Sequence, residues 1–317
     1  MALLKYILKK MLMLLPVLVG ISIIAFALGI MSPGDPVDQV LNPNGNESYT
    51  QAEYDAMAAK MGLDQPAVIQ YFNWVDGLAH GDLGRSFFTN KSVMDQLAKR
   101  IPISLKLAGF IMILTIVFGV GFGVLMAVKK DRLLDHVLGT FSTAALSVPG
   151  FWIAIVLIFL FAEQWKLLPS SGISGGSGFI LPAVTLALPS IGVCARLTRS
   201  AILDEIGRQY MTVADAKGMS RRHAVVCHAF GNALIPIITY LGNHMAGIIG
   251  GASIVETIFA IPGIGSYAIA GVQSKDYYVV QAYVLFSGCI YVLTNILIDL
   301  IYIALDPKIR AGEAVES

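Results

Sequence analysis

The chain has 317 residues, 56% of them hydrophobic and 14% charged, with a mean hydropathy of +0.71; a soluble globular domain carries about a quarter charged residues. That composition places the chain in lipid and excludes an ordinary soluble domain. Lys and Arg (22) nearly cancel Asp and Glu (21), so the overall charge makes no case for a nucleic-acid partner or an acidic substrate.

The N-terminus opens like a signal peptide, with Lys5, Lys9 and Lys10 ahead of an apolar run. That run, residues 11–31, is 21 residues long and uncharged, and Ser32-Pro33-Gly34-Asp35 is not a small-x-small cleavage site. It reads as a retained helix. A helix needs about 20 apolar residues to cross the hydrocarbon core. Residues 11–31, 107–128, 137–162, 179–195, 234–255 and 277–305 pass or nearly pass that test, which predicts an all-α membrane protein of six transmembrane helices. With a cytoplasmic N-terminus, residues 1–10, 129–136, 196–233 and 306–317 face inward and hold 14 of the 22 Lys and Arg. Five of the other eight fall in one long loop, residues 32–104, which counts little in the positive-inside rule. An N-in, C-in orientation follows.

The loop at residues 32–104 carries nine acids together with Tyr71, Phe72, Trp74, Phe87 and Phe88, enough apolar surface for a small ordered cap. It fits either a dock for a soluble binding protein or a lid without direct contact. In the second span Gly119, Gly121 and Gly123, and in the fifth Gly242, Ala246 and Gly250, lay small residues along a helix where backbones can approach closely. Pro149-Gly150 in the third span frees a backbone carbonyl and lets that helix bend. His244 stands alone in the fifth span and fits a packing histidine or a pathway contact. Asn295, Asp299, Tyr302 and Asp306, spaced 4, 3 and 4 apart, form one polar stripe on the sixth helix. The stripe fits a pathway or subunit-interface lining, or a clasp that pairs with a basic residue such as Arg196 or Arg199. Cys194, Cys227 and Cys289 are far apart and in or beside apolar segments, which points to packing rather than metal ligation or a disulfide framework.

Residues 203–230 are too polar to cross the bilayer. Leu203, Ile206, Tyr210, Val213 and Ala214 recur at helical steps, which predicts one amphipathic helix. Gly218 sits where a helix end favours a left-handed residue, and Ser220 can cap a second helix beginning Arg221-Arg222-His223. Such an elbow fits a groove on a soluble partner or an interfacial helix lying on anionic lipid.

Tyr210 to Gly218 (YMTVADAKG) and His228 to Pro236 (HAFGNALIP) resemble the E-A-A-x-x-x-G loop of ABC importer permeases, most closely the B-type permease subunit of dipeptide and oligopeptide importers. Gly81 to Ser86 (GDLGRS), Ser147 to Trp152 (SVPGFW), Ile261 to Gly265 (IPGIG) and Asp306 to Arg310 (DPKIR) are similar to landmarks of that family along the rest of the chain. Where the general motif has Glu-Ala-Ala, this chain has Thr212-Val213-Ala214. The resemblance implies a type I ABC importer permease fold in the bacterial or archaeal inner membrane, with a cytoplasmic coupling helix. It also implies that Ala214, Asp215, Ala216, Lys217, Gly218, Ser220, Arg221 and Arg222 couple to an ATPase, and that Glu256, Pro262, Gly263 and Gly265 belong to a loop meeting the binding protein. The implied partners are a second, similar permease, two ATP-binding subunits, an extracytoplasmic binding protein and the surrounding lipid.

No segment matches G-x-x-x-x-G-K-[ST], so ATP and Mg²⁺ are expected on the partner subunits, with no cofactor or metal in this chain. The five histidines (80, 136, 223, 228 and 244) are scattered and no catalytic constellation emerges; an integral-membrane enzyme has no candidate active site here. A nickel or other metal-chelate importer shares the same landmarks. A secondary transporter or channel acting alone is the reading from another class.

Overall fold

A computed structural model describes residues 2–31, 34–42, 45–173, 176–211, 218, 223, 225 and 229–305, with the side chains of residues 2–13, 251 and 302–305 outside the description. In chain order the helices are α1 (Ala2–Ile30), α2 (Pro36–Leu41), α3 (Gln51–Met61), α4 (Ala67–Ala79), α5 (Val93–Leu114), α6 (Gly121–Val128), α7 (Leu133–Ser147), α8 (Gly150–Leu157), α9 (Ile180–Ile206), α10 (Phe230–Gly251), α11 (Ser253–Ile258), α12 (Ile264–Gln273) and α13 (Tyr277–Leu305). Two π-helical segments, Thr115–Val120 and Ile158–Gln164, follow α5 and α8. No strand occurs among the described residues.

Among the described residues, four helical stretches are long and apolar enough to cross a membrane: Val93–Val128, Gly176–Ile206, Phe230–Gly250 and Tyr277–Ile301. The pair Leu133–Ser147 and Gly150–Gln164 makes a fifth if counted as one span, and Leu14–Ile30 is a shorter apolar helix. Ile113, Val137, Trp152 and Ile155, each more than half exposed, present the apolar surface that lipid covers.

The chain divides into two compact units. The first comprises Met1–Ser104 and Pro262–Val292. Its segment from Asp35 to Gly62 is built from locally capped helices. Asp35 accepts from the Val37 amide at 2.8 Å with Pro36 at the first helical position, and Thr50 and Glu53 close a capping box on α3, which ends at Gly62 with φ +70°. Tyr49 and Tyr54 tie these pieces together, donating to Asp38 and Asp35 at 2.7 Å each. Phe26, Tyr71 and Trp74 pack α4 on α1, and Leu83, Val93, Leu97, Ile264, Val279 and Ala282 form the unit's apolar core. Gly84, at φ +82°, lies so close to the Tyr278 ring that a Cβ there would come within 2.6 Å of it.

The second unit comprises Leu105–Ile261 and Leu293–Ser317. Helix α9 is its axis, with buried Thr185, Cys194, Ala195, Thr198 and Ile202. Small residues bring the neighbouring helices close. A Cβ on Gly119 would fall 2.7 Å from Cys194 Cβ, one on Gly123 2.4 Å from Thr198 Cβ, one on Gly192 2.6 Å from the Ser142 carbonyl, and one on Gly242 2.4 Å from Ile298. Gly121, between the first two, faces nothing within 4 Å. The α7–α8 pair turns through 101° at Val148-Pro149. Proline forces the preceding residue out of the helical region, and Val148 (ψ 127°) and Pro149 (ψ 135°) are extended, so the break is a corner rather than a kink.

Candidate functional site

The C-terminal end of α9 collects polar chemistry of the second unit. Arg199, two turns before the end of α9, forms a bidentate pair with Asp135 of α7, at 2.7 Å from Nε to Oδ1 and 2.8 Å from Nη2 to Oδ2. The Asp131 amide donates to the same carboxylate at 3.0 Å, and Asp135 is only 4% exposed. Two parallel charge-assisted bonds fix both position and orientation, so this pair clamps α7 to α9. Arg199 therefore has a carboxylate partner on α7.

Beside the clamp lies an open groove of about 1180 Å³. Its α7 wall is His136, Gly139, Thr140, Thr143 and Ser147, small or polar residues at helical spacing, and its α9 wall includes Arg196, Arg199 and Ser200. Thr143 and Ser147 spend their hydroxyl protons on carbonyls four residues back, leaving oxygen lone pairs as acceptors. A groove of guanidinium donors and hydroxyl acceptors suits a polar solute. The sequence reading missed Asp135, Thr140 and Thr143. They belong to a segment it divided between a short inner loop and an undistinguished span.

Helix α9 stops at Ile206, where Gly207 and Arg208 break it. Arg208 turns back to Glu205 at 2.9 Å, and the Tyr210 hydroxyl donates to Glu205 at 2.8 Å while accepting from Asn232 Nδ2 at 3.0 Å. Burial first, and that bond to Glu205 second, push the Tyr210 phenol pKa up. The single amphipathic helix expected from Leu203 through Ala214 is thus split: Leu203 and Ile206 close the long helix, and Tyr210 lies in a separate turn that begins at Gln209. Glycine's poor helix propensity and the Glu205–Arg208 contact account for the break. Below it Met211, Val225, Ala229, Ala233, Ile237, Ile202 and Ala127 form a buried apolar base. Gly218 has φ +79°, the left-handed conformation expected of it. Ala214, Asp215, Ala216, Lys217, Ser220, Arg221 and Arg222 lie outside the described residues.

The other sequence candidates fall apart from the groove. His244 stacks on Tyr240 at 5.5 Å and 7°, and its buried Nε2 has no partner among the described residues. Tyr240 donates to the Ser190 carbonyl at 3.1 Å. Asn295 and Asp299 are half-buried, and the Tyr302 side chain is not described. Pro149 forms the corner described above. Glu256 is 1% exposed in the second unit. In the first unit, Pro262 and Gly263 lead into α12, whose second residue is Gly265: the Ile264 amide donates to Ser104 Oγ at 2.9 Å, and Arg100 lies 4.6 Å over the Tyr267 ring. Ala260 adopts φ +49°, a strained value for a residue with a Cβ.

The profile of the family described as "Binding-protein-dependent transport system inner membrane component" matches residues 119–311, and that of its N-terminal region matches residues 3–108. A probable peptide ABC transporter permease protein of Sinorhizobium fredii is 36% identical over 313 residues, covering 96% of this chain and 99% of the relative. The dipeptide transport system permease protein DppB of Escherichia coli is 33% identical, over 97% of this chain and 99% of the relative. A solved structure of the MetNI methionine ABC transporter superposes with a TM-score of 0.58 at 16% identity, covering 67% of this chain and 97% of that one; this likeness concerns the fold alone. The chain belongs to the family of inner-membrane components of binding-protein-dependent transport systems. It is the permease and not the ATPase of an ABC importer, a family that works with ATP-binding and substrate-binding partners, and this sets aside the lone channel or secondary transporter.

Proposed function

We propose that this chain forms half of the translocation pathway of an ABC importer for dipeptides and oligopeptides. Similarity to peptide permeases along almost the whole chain, at 36% identity over 96% of it, carries this reading. The chain pairs with a second, similar permease. Two ATP-binding subunits supply ATP and Mg²⁺ chemistry, and an extracytoplasmic protein delivers the peptide. Both termini face the cytoplasm, as the excess of Lys and Arg in the inner segments suggests.

Coupling runs through Ala214 to Arg222. The left-handed φ of Gly218 supports an elbow there, and the buried base under Met211 and Val225 gives it a rigid footing from which motion passes into α9 and α10. The groove beside Asp135 and Arg199 lines the pathway on this chain's side. Glu256, Pro262, Gly263 and Gly265 meet the binding protein.

Replacing Gly218 by Val places a β-branched residue at φ +79°, a conformation such residues rarely adopt. In proteoliposomes holding the complete transporter, Gly218→Val should lose at least tenfold in ATP-driven peptide uptake while the subunits' ATP turnover no longer responds to peptide and binding protein. Wild-type uptake together with wild-type stimulation of ATP turnover would overturn the coupling assignment.

A further inference from the structure

Helix α4 (Ala67–Ala79) divides its side chains into three stripes, each spaced by threes and fours so that it stays on one face. Tyr71, Trp74 and Leu78 turn inward: the two rings meet Phe26 of α1 at 5.3 and 5.9 Å, and Leu78 packs on the core around Leu97. Asn73, Asp76 and His80 make an exposed polar stripe, with Ile69 the apolar exception on that side. Between these two runs Val68, Phe72, Val75 and Ala79, apolar throughout, with Val68 66% and Phe72 64% exposed.

The inward stripe sets the depth of α4. Ser22 of α1 gives its proton to the Val19 carbonyl at 2.8 Å, and the Tyr71 hydroxyl bonds to Ser22 Oγ at 2.9 Å. Ser22 lies eight residues before Ile30, the last residue of α1, which is about 12 Å along the axis; Phe26 lies about 6 Å below the same end. Helix α13 gives the same level independently. A Cβ on Gly288 would lie 2.8 Å from Ile21, and one on Gly29 2.6 Å from Gln281 Nε2, so α1 and α13 run antiparallel, side by side. Gly288 is eleven residues into Tyr277–Ile301, a stretch long and apolar enough to cross a membrane, and so about 16 Å from its start. Tyr71 therefore reaches well inside the apolar length of both helices, and α4 sits one side chain away from that point.

At that depth α1 itself exposes Ile23, Ile24 and Leu28, the apolar surface of a helix in lipid. A helix with one apolar and one polar exposed stripe lies in the membrane boundary with its apolar face about 5–10 Å into the headgroup and acyl region. We propose that α4 is such an interfacial helix, with Val68, Phe72, Val75 and Ala79 against phospholipid acyl chains and Asn73, Asp76 and His80 in water. The long loop of residues 32–104 is then not a cap standing clear of the bilayer: α4 anchors it there, and a soluble binding protein meets only its polar side. The inference rests on the orientation proposed above only for which leaflet holds α4, the extracytoplasmic one.

The test uses the full chain in phosphatidylcholine nanodiscs with Trp152→Phe and Trp165→Phe, both positions being more than half exposed. Phe72→Trp or Asn73→Trp is added to that parent, whose own Trp74 emission is subtracted; both positions are exposed, so the fold tolerates the change. Phosphatidylcholine brominated on its acyl chains should quench emission at position 72 at least twofold more than at position 73, and acrylamide in the water should rank the two in reverse. In the complete transporter, p-benzoylphenylalanine placed at position 72 should on irradiation add the mass of one phospholipid to this subunit. Quenching at position 72 by acrylamide and not by brominated lipid would put the stripe in water. Quenching by neither, or a cross-link from position 72 to another subunit or to the binding protein, would make it a protein contact. Each of these results overturns the proposal. Because no uptake or ATP turnover is read, a failure here leaves the importer reading standing, and a failure of peptide uptake leaves the membrane placement standing.

Discussion

Asp135 and Arg199 show how one pair can organise two helices. Asp135 is 5% exposed at its side chain and Arg199 30%, so removing one partner strands a charge in a partly desolvated site. Full burial would cost several kcal/mol; allowing for the water that reaches Arg199, Asp135→Asn or Arg199→Leu should each lower stability by about 1–3 kcal/mol. The double variant should cost less than the sum, which thermal melts of the detergent-solubilised chain can measure as a double-mutant cycle. Asp276 makes the opposite case. It lies just before α13 and is 1% exposed; burial pushes its carboxyl pKa up, outweighing the Ser86 hydroxyl and the backbone contacts of Phe87, Val279 and Phe88 that favour the ionised form. A carboxyl raised in the folded state gains protons relative to the unfolded chain, so folding is penalised above the folded pKa and relieved as pH falls through it. Asp276 should therefore add stability as pH falls toward its folded pKa, and Asp276→Asn should remove that contribution from the pH dependence of the melting temperature. A variant with the wild-type pH profile would place the titration elsewhere.

At the scale of elements, the glycines of the second unit make a graded prediction. A Cβ on Gly123 meets Thr198 at 2.4 Å and the Ala195 carbonyl at 2.7 Å, whereas Gly121 faces nothing within 4 Å. Gly123→Val should destabilise by roughly 1–3 kcal/mol or block folding outright, while Gly121→Val should leave the melting temperature within about a degree or two, consistent with surface substitutions of a few tenths of a kcal/mol. Equal effects would mean that the α6–α9 approach does not set the packing. Part of this was legible in the chain: apolar length marked four long apolar helices, with the first expected span a shorter helix and the third a bent pair, and small-residue spacing marked Gly119, Gly123 and Gly242 as close contacts but also Gly121, which meets nothing. The corner at Val148-Pro149 was legible as a break, but its 101° turn was not, because proline dictates where a helix stops and not where the chain goes next. Asp135 could not be matched to Arg199 from spacing alone, since 64 residues separate them. The split at Gly207 was hidden because its flanking residues keep helical periodicity across the break.

For the whole molecule, family membership identifies a membrane-embedded permease that carries no ATPase; one unit holds the locally capped helices and the other the polar groove beside α9. The peptide cargo and the coupling through Gly218 are the central claims, and reconstitution addresses both at once. Proteoliposomes containing this chain, its partner permease and both ATP-binding subunits, with binding protein outside, should accumulate a labelled dipeptide only when ATP is supplied to the ATP-binding subunits, and should not accumulate a nickel chelate. Dipeptide accumulation by this chain alone, or ATP-driven uptake of the chelate with no dipeptide uptake, would contradict the account.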